Sequence, residues 1–229
     1  KFLYHIATHL EIYEKTYVRS IENNKIITNQ GTITADHIVM ATHYPFINTP
    51  GYYFLRMHQS RSYVLALDNA AILDGIYYGI DPGGYSFRNY GSQLLLGGCA
   101  HRTGRNSEGG QYEKLRETAR LFYPDSREAA HWSAQDCMSL DHVPYIGPFS
   151  SSLPNLYVAT GFNKWGMTTS MASAQILSGY ILGTPPPYSE VFSPARFNLS
   201  ASTKNLIKDG SQTLKGIALS PILPARANV

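Results

Sequence analysis

The spacing of hydrophobic and polar positions changes several times along the chain, and each change marks an element. Residues 1–9 read as the end of a helix. Residues 11–21 alternate in twos, as a half-buried strand does. Ile26-Ile27-Thr28 then turns through Asn29-Gln30-Gly31 into Thr32-Ile33-Thr34. Residues 36–42 form a short apolar strand closed by His43-Tyr44-Pro45. From 57 to 98 the pattern is antiparallel, with strands at 62–67, 76–80, 85–90 and 93–96. Their turns fall at Asp81-Pro82-Gly83-Gly84 and Asn89-Tyr90-Gly91. Residues 113–123 predict a helix ended by Pro124, with Leu115 and Phe122 facing inward. Residues 132–146 look extended and run into Gly147-Pro148.

The most informative stretch begins at Leu156-Tyr157-Val158-Ala159, a short buried strand opened by Pro154-Asn155. A turn follows in which Gly161 and Gly166 flank Phe162, Asn163, Lys164 and Trp165. A helix then starts at Thr168 or Thr169 and runs to about Leu182. Met167, Met171, Ala174, Leu177 and Ile181 share one of its faces. Gly183 and the prolines at 185–187 stop it. Strand, glycine-bearing loop and helix N-terminus together suit an anionic or electron-rich ligand, because free N–H groups and the helix dipole stabilise negative charge. An ordinary strand–helix turn has the same pattern, so both readings stand on the pattern alone.

Composition narrows the classes. The 229 residues suffice for one large domain or two small ones, and 43% hydrophobic with 15% charged residues describes a globular chain. A net charge of +3 without any basic run argues against a nucleic-acid binder. Eight of the seventeen tyrosines fall within residues 44–90, which suits a sheet facing a pocket and plain sheet packing equally. Cys99 and Cys137 are the only cysteines and lack metal-ligand spacing, so no metal site is expected and a reducing, cytoplasmic compartment fits. No apolar run reaches membrane-spanning length. The start at Lys1, with no signal-like segment, reads as a cut front end, and residues 198–229 read as a linker or tail.

Four segments in order resemble the FAD-dependent oxidoreductases of the D-amino-acid oxidase/glycine oxidase superfamily. Residues 32–42, ending Val39-Met40-Ala41-Thr42, look like a flavin-domain strand, with His43 where that family has glycine. Leu94-Leu95-Leu96-Gly97-Gly98 with His101-Arg102-Thr103-Gly104 is similar to a substrate-domain strand and turn. Residues 140–147, Leu-Asp-His-Val-Pro-Tyr-Ile-Gly, resemble the family's signature strand. Residues 154–161 and the helix behind them resemble its closing flavin motif. The version at 162–168 is closest to bacterial members with a C-terminal Rieske iron–sulfur domain, and residues 198–229 end where such a domain would begin. The glycine-rich GxGxxG turn that opens these proteins and holds the FAD pyrophosphate is not found.

The resemblance implies an α+β chain: an antiparallel substrate-domain sheet joined to the C-terminal part of a Rossmann-like FAD-binding domain. Residues 1–50 would be a partial FAD-binding domain, 51–140 the substrate sheet with its helix, and 141–197 the closing FAD-binding segment. It implies oxidation of a C–N bond in an amine or amino acid by hydride transfer to FAD, in a chain truncated and inactive alone. A non-catalytic binding domain of the same fold is the alternative. Cofactor contacts are expected from Ala41, Thr42, Gly161, Phe162, Trp165, Gly166, Met167 and Thr168, with Lys164 or Trp165 flanking the ring; core packing is the other reading of Trp165, and a solvated loop lysine the plainer one of Lys164.

For substrate, the resemblance places an arginine that clamps a carboxylate five positions before the signature aspartate, Asp141. Here that position is Asp136. A carboxylate cannot hold a carboxylate but holds an ammonium, so an amine or polyamine is expected. A turn cap or a lysine partner for Asp136 is the plainer reading. Arg102 and Arg61 remain carboxylate partners; Tyr63, Tyr78 and Tyr145 read as aromatic walls or as sheet packing, and His101 and His142 as pocket residues or, more plainly, as satisfied structural histidines. Cys137 reads as a buried inert thiol or as a flavin tether.

Overall fold

β11 (Leu153–Thr160) is the strand around which one half of the molecule is built. It pairs antiparallel with β10 (Tyr145–Ser150) on one side and parallel with β4 (Ile38–Met40) on the other. The central position explains its unbroken apolar run: Leu156 and Val158 enter one core with Ile38, Met40, Tyr53 and Met57, while Tyr157 and Ala159 enter another with Ile146, Ile176 and Leu177. The latter two belong to α4 (Gly166–Ile181), which lies against this sheet. The computed structural model describes residues 2–47, 49–81, 83–105 and 109–196, so the linker or tail expected at 198–229 lies outside the described residues.

The other half is a five-stranded antiparallel sheet in the order β6-β7-β8-β5-β9. Its strands are β5 (Met57–Asp68), β6 (Tyr77–Tyr78), β7 (Ser86–Tyr90), β8 (Gln93–Arg102) and β9 (Arg127–Ser139). Leu65, Leu67, Leu94 and Leu96 on one of its faces bury Leu115 and Ala119 of α3 (Gln111–Phe122). A bulge at Cys99, where φ is +54°, displaces the β5–β8 register between Arg61 and Tyr63 and sets the faces taken by His101 and Arg102. A small sheet of β1 (Val18–Glu22), β2 (Lys25–Thr28) and β3 (Thr32–Thr34) follows the short helix α1 (Phe2–Ala7). The helical turn α2 (Tyr53–Arg56) leads into β5. The chain is therefore α+β.

Several expectations need correction. The alternation at 11–21 becomes strand only from Val18: Lys15 has φ +56°, and the Asn29 side chain bonds the Tyr17 N–H and the Lys15 carbonyl, holding a loop. The strand expected at 76–80 shrinks to Tyr77–Tyr78. The extended run at 132–146 is two strands, because the Asp141 carboxylate accepts the Val143 N–H and His142 turns with φ +58°. Phe122 is 59% exposed instead of facing inward. α4 starts at Gly166 and buries Ser173, Ile176 and Leu177, leaving Met167 and Met171 exposed. That helix carries apolar residues on more than one face, so spacing alone could not choose the buried one.

Candidate functional site

The turn between β11 and α4 is held by one side chain. Asn163 adopts φ +51° and is buried; its Oδ1 accepts the Ser139 N–H at 3.1 Å, and its Nδ2 donates to the Gly161 carbonyl at 2.9 Å. Its own N–H donates to the Cys137 carbonyl at 3.0 Å, and Phe162 makes a bridge to Met138. The turn is thereby pinned to the end of β9. Gly161, at φ +70°, passes so close to Met57 that a Cβ would lie 3.2 Å from its sulfur. Asn163 was not singled out from sequence, although asparagine between two glycines is a signal for left-handed backbone.

α4 begins without a side-chain cap at Trp165 and without an acid in its first turn. Among the described residues no backbone acceptor serves the Gly166, Met167 and Thr168 N–H groups, and the space beside Gly166 is open. Trp165 is 69% exposed next to them. Because β4 runs parallel to β11, Ala41 and Thr42 emerge at the same sheet end as Gly161, and the Thr160 hydroxyl donates to the His43 carbonyl at 2.5 Å. His43 itself has φ +65°, which is the conformation that makes glycine the easier residue there. Of the expected cofactor contacts, Phe162 is half-buried against the α4 core, and the rest border this end of the sheet.

A second group lies on the sheet face turned toward this loop. Ser60 pairs with Asp136 on β9 and Arg102 on β8, so the two charges flank it on one face, roughly 10 Å apart by strand spacing. Lys164 reaches down from the loop: its Nζ donates to the Ser62 hydroxyl at 2.5 Å and to the Asp136 carboxylate at 3.2 Å. Near Arg102 a cavity of about 320 Å³ is lined by Tyr44, Phe54, Met57, His58, Gln59 and Thr103 as well. Tyr44, from the loop after β4, and His58, from β5, were not singled out from sequence, because only the tertiary fold brings them together.

Other residues expected here lie elsewhere. Tyr63 is on the opposite face of β5, where its hydroxyl meets His101 Nε2 at 3.0 Å and its ring packs edge-on against Tyr112. Strand alternation accounts for this, since Ser62 and Tyr63 must point apart. Arg61 shares that face and donates to Gln135 at 2.9 Å. Tyr145 is 4% exposed, with the Arg56 and Arg196 guanidinium groups 4.6 and 4.0 Å from its ring centre. Tyr78 is exposed on an edge strand, and His142 is exposed at the β9–β10 turn.

Electrostatics divide these groups by role. Burial pushes the Cys137 thiol up to about 11, with the Asp136 charge adding to it, so at neutral pH it is a protonated, unreactive thiol. Burial also raises Asp141, but the bidentate Arg196 bonds at 2.9 and 3.0 Å, that guanidinium's charge and the Val143 N–H outweigh it and hold the carboxyl below its ordinary value. Arg196 further donates to the Pro144 and Val143 carbonyls. Asp141 is thus a buried structural anion fastening the end of the described chain to the β9–β10 turn. Among the described residues no cluster of His, Cys, Asp and Glu could hold a metal ion, and no helix is long and apolar enough to cross a membrane.

Known proteins share this architecture. The chain is 34% identical over 214 residues to YhfW of Bacillus subtilis (strain 168), which is named as a Rieske 2Fe-2S iron–sulfur protein; the match covers 89% of this chain and 42% of that protein. The glycine oxidase of Geobacillus kaustophilus superposes with a TM-score of 0.67 at 19% identity, over 81% of this chain and 53% of that one. The L-amino acid deaminase of Proteus vulgaris superposes at 0.66 with 20% identity, over 85% and 53%. The chain thus spans about half the length of the proteins it matches or less. Residues 4–179 match the family described as FAD dependent oxidoreductase. The chain belongs to that DAO family of FAD-dependent oxidoreductases.

Proposed function

We propose that the full-length protein oxidises a C–N bond of an amine or amino acid by hydride transfer to FAD. Family membership supports the flavin. The observation that carries the substrate reading is the Asp136 carboxylate, which lies under the glycine-bearing loop and already accepts an ammonium, that of Lys164, at 3.2 Å. A carboxylate at this position favours a cationic nitrogen over an anionic group.

The residues fit the flavin's electron-rich edge. The unserved N–H groups of Gly166, Met167 and Thr168, at an open helix start with no competing acid, would hold negative charge there. Ala41, Thr42, Gly161 and Phe162 would border the ring, with exposed Trp165 beside it. When bound, FAD supplies the hydride acceptor, and this chain supplies orientation. Asp136 holds the nitrogen through its N–H groups, which turns the neighbouring C–H toward the loop. Hydride can leave that carbon only when the nitrogen lone pair is free, so one N–H proton must pass to solvent. The oxidised product is an imine, which water hydrolyses. Arg102, across Ser60, would receive an anionic group of a longer substrate. A Rieske-type electron-transfer domain is the proposed partner for reoxidation, on the name of the Bacillus relative.

The test is anaerobic flavin bleaching of the full-length holoenzyme with a panel of amines and amino acids. Asp136→Arg should raise KM for amines about 100-fold or abolish turnover, since it replaces attraction by repulsion. Unchanged amine turnover in that variant would falsify the ammonium role, and a flavin that no amine or amino acid reduces would sink the reaction.

A further inference from the structure

Lys164 stands where a substrate ammonium is expected. Its Nζ spends two N–H donors, one on the Ser62 hydroxyl and one on the Asp136 carboxylate. The loop does not depend on those bonds for its shape. Asn163 fixes the backbone through Ser139, Cys137 and Gly161, and Phe162 bridges to Met138. The lysine side chain is 32% exposed and Asp136 30%, so water reaches the pair. A four-carbon stem on a pinned backbone can leave Asp136 without disturbing the loop.

We propose that Lys164 is a tethered competitor for the Asp136 carboxylate and thereby a specificity-determining residue. This rests on Asp136 as the ammonium partner. A substrate nitrogen enters only by displacing Lys164 and replacing both of its hydrogen bonds. It must therefore bring at least two N–H groups, as a primary or secondary ammonium does. A tertiary ammonium offers one and a quaternary ammonium none, and either would leave Ser62 or Asp136 less well served than Lys164 leaves them. On the same face, strand pairing puts Arg102 across Ser60 from Asp136. An ion pair that water reaches on this scale is worth little, so the competition should cost a ligand about fivefold in affinity.

The experiment is calorimetric titration of the flavin-loaded full-length protein with tert-butylammonium, a primary ammonium with no C–H beside nitrogen to oxidise. Tetramethylammonium is the N–H-free control. Lys164→Met should bind tert-butylammonium about fivefold tighter than the parent, tetramethylammonium should bind far more weakly to both, and Asp136→Asn should lose binding. With an oxidisable primary amine, Lys164→Met should lower KM about fivefold. Equal affinity in parent and Lys164→Met, with binding still dependent on Asp136, overturns the tethered competitor and leaves the proposed function standing. Binding indifferent to Asp136 overturns both. Should Lys164→Met fail to fold, Lys164→Gln carries the same expectations.

Discussion

Asn163 does more for the candidate site than any residue that touches solvent there. Replacing it with alanine removes the acceptor of the Ser139 N–H and places a non-glycine Cβ at φ +51° without the local bonds that offset it. Asn163→Ala should destabilise the chain by about 2–3 kcal/mol, measured by urea unfolding. Gly161→Ala acts at the same turn by another route. Its φ of +70° and the crowding by Met57 and Ser139 predict a loss of about 1–2 kcal/mol. Cys137, 1% exposed and with its thiol at about 11, should resist alkylation by iodoacetamide at neutral pH until the protein is unfolded. Rapid modification of the folded chain would contradict the structure.

At the scale of elements, the Asp141–Arg196 pair joins the β9–β10 turn to the stretch after the 3-10 helix (Pro187–Phe192). The carboxyl is held below its ordinary value of 3.8 in the folded chain. Its contribution to stability is therefore complete above that value and is lost as pH falls through the lower folded value. Arg196→Met strands a buried charge and should cost about 3 kcal/mol near neutral pH. That cost should shrink in acid as Asp141 protonates, and urea midpoints at two pH values would measure both effects. A cost that stays constant down to acid pH would rule out the ion pair as its source.

For the whole molecule, flavin binding has a direct reporter. Trp165 is 69% exposed at the open start of α4, and Trp132 is the other tryptophan. In the full-length apoprotein, added FAD should quench less fluorescence in Trp165→Phe than in the parent, and equal quenching in the two would move Trp165 away from the ring.

Legibility in the sequence followed the range of the interactions involved. The β2–β3 hairpin, β4, β11 and the loop before α4 were readable because periodicity and glycine placement are local. The faces of α4 and β5 were not, since helix spacing cannot say which of two apolar stripes meets a neighbour. Nor can a list of tyrosines say that Tyr63 points away from Asp136. The Lys164–Asp136 contact spans 28 positions and depends on strand pairing and a pinned turn together.

β9 acts as a ruler for the site. It is an edge strand of 13 residues, and in its last few positions it sets Asp136 on one face, Cys137 on the other, and the anchors of the loop at Met138 and Ser139. One residue inserted within the strand would send Asp136 to the α3 side and shift the anchors along the ladder by a step. Length in this strand is therefore as much a part of the chemistry as the identity of its side chains, and an indel here should cost function well before it costs the sheet.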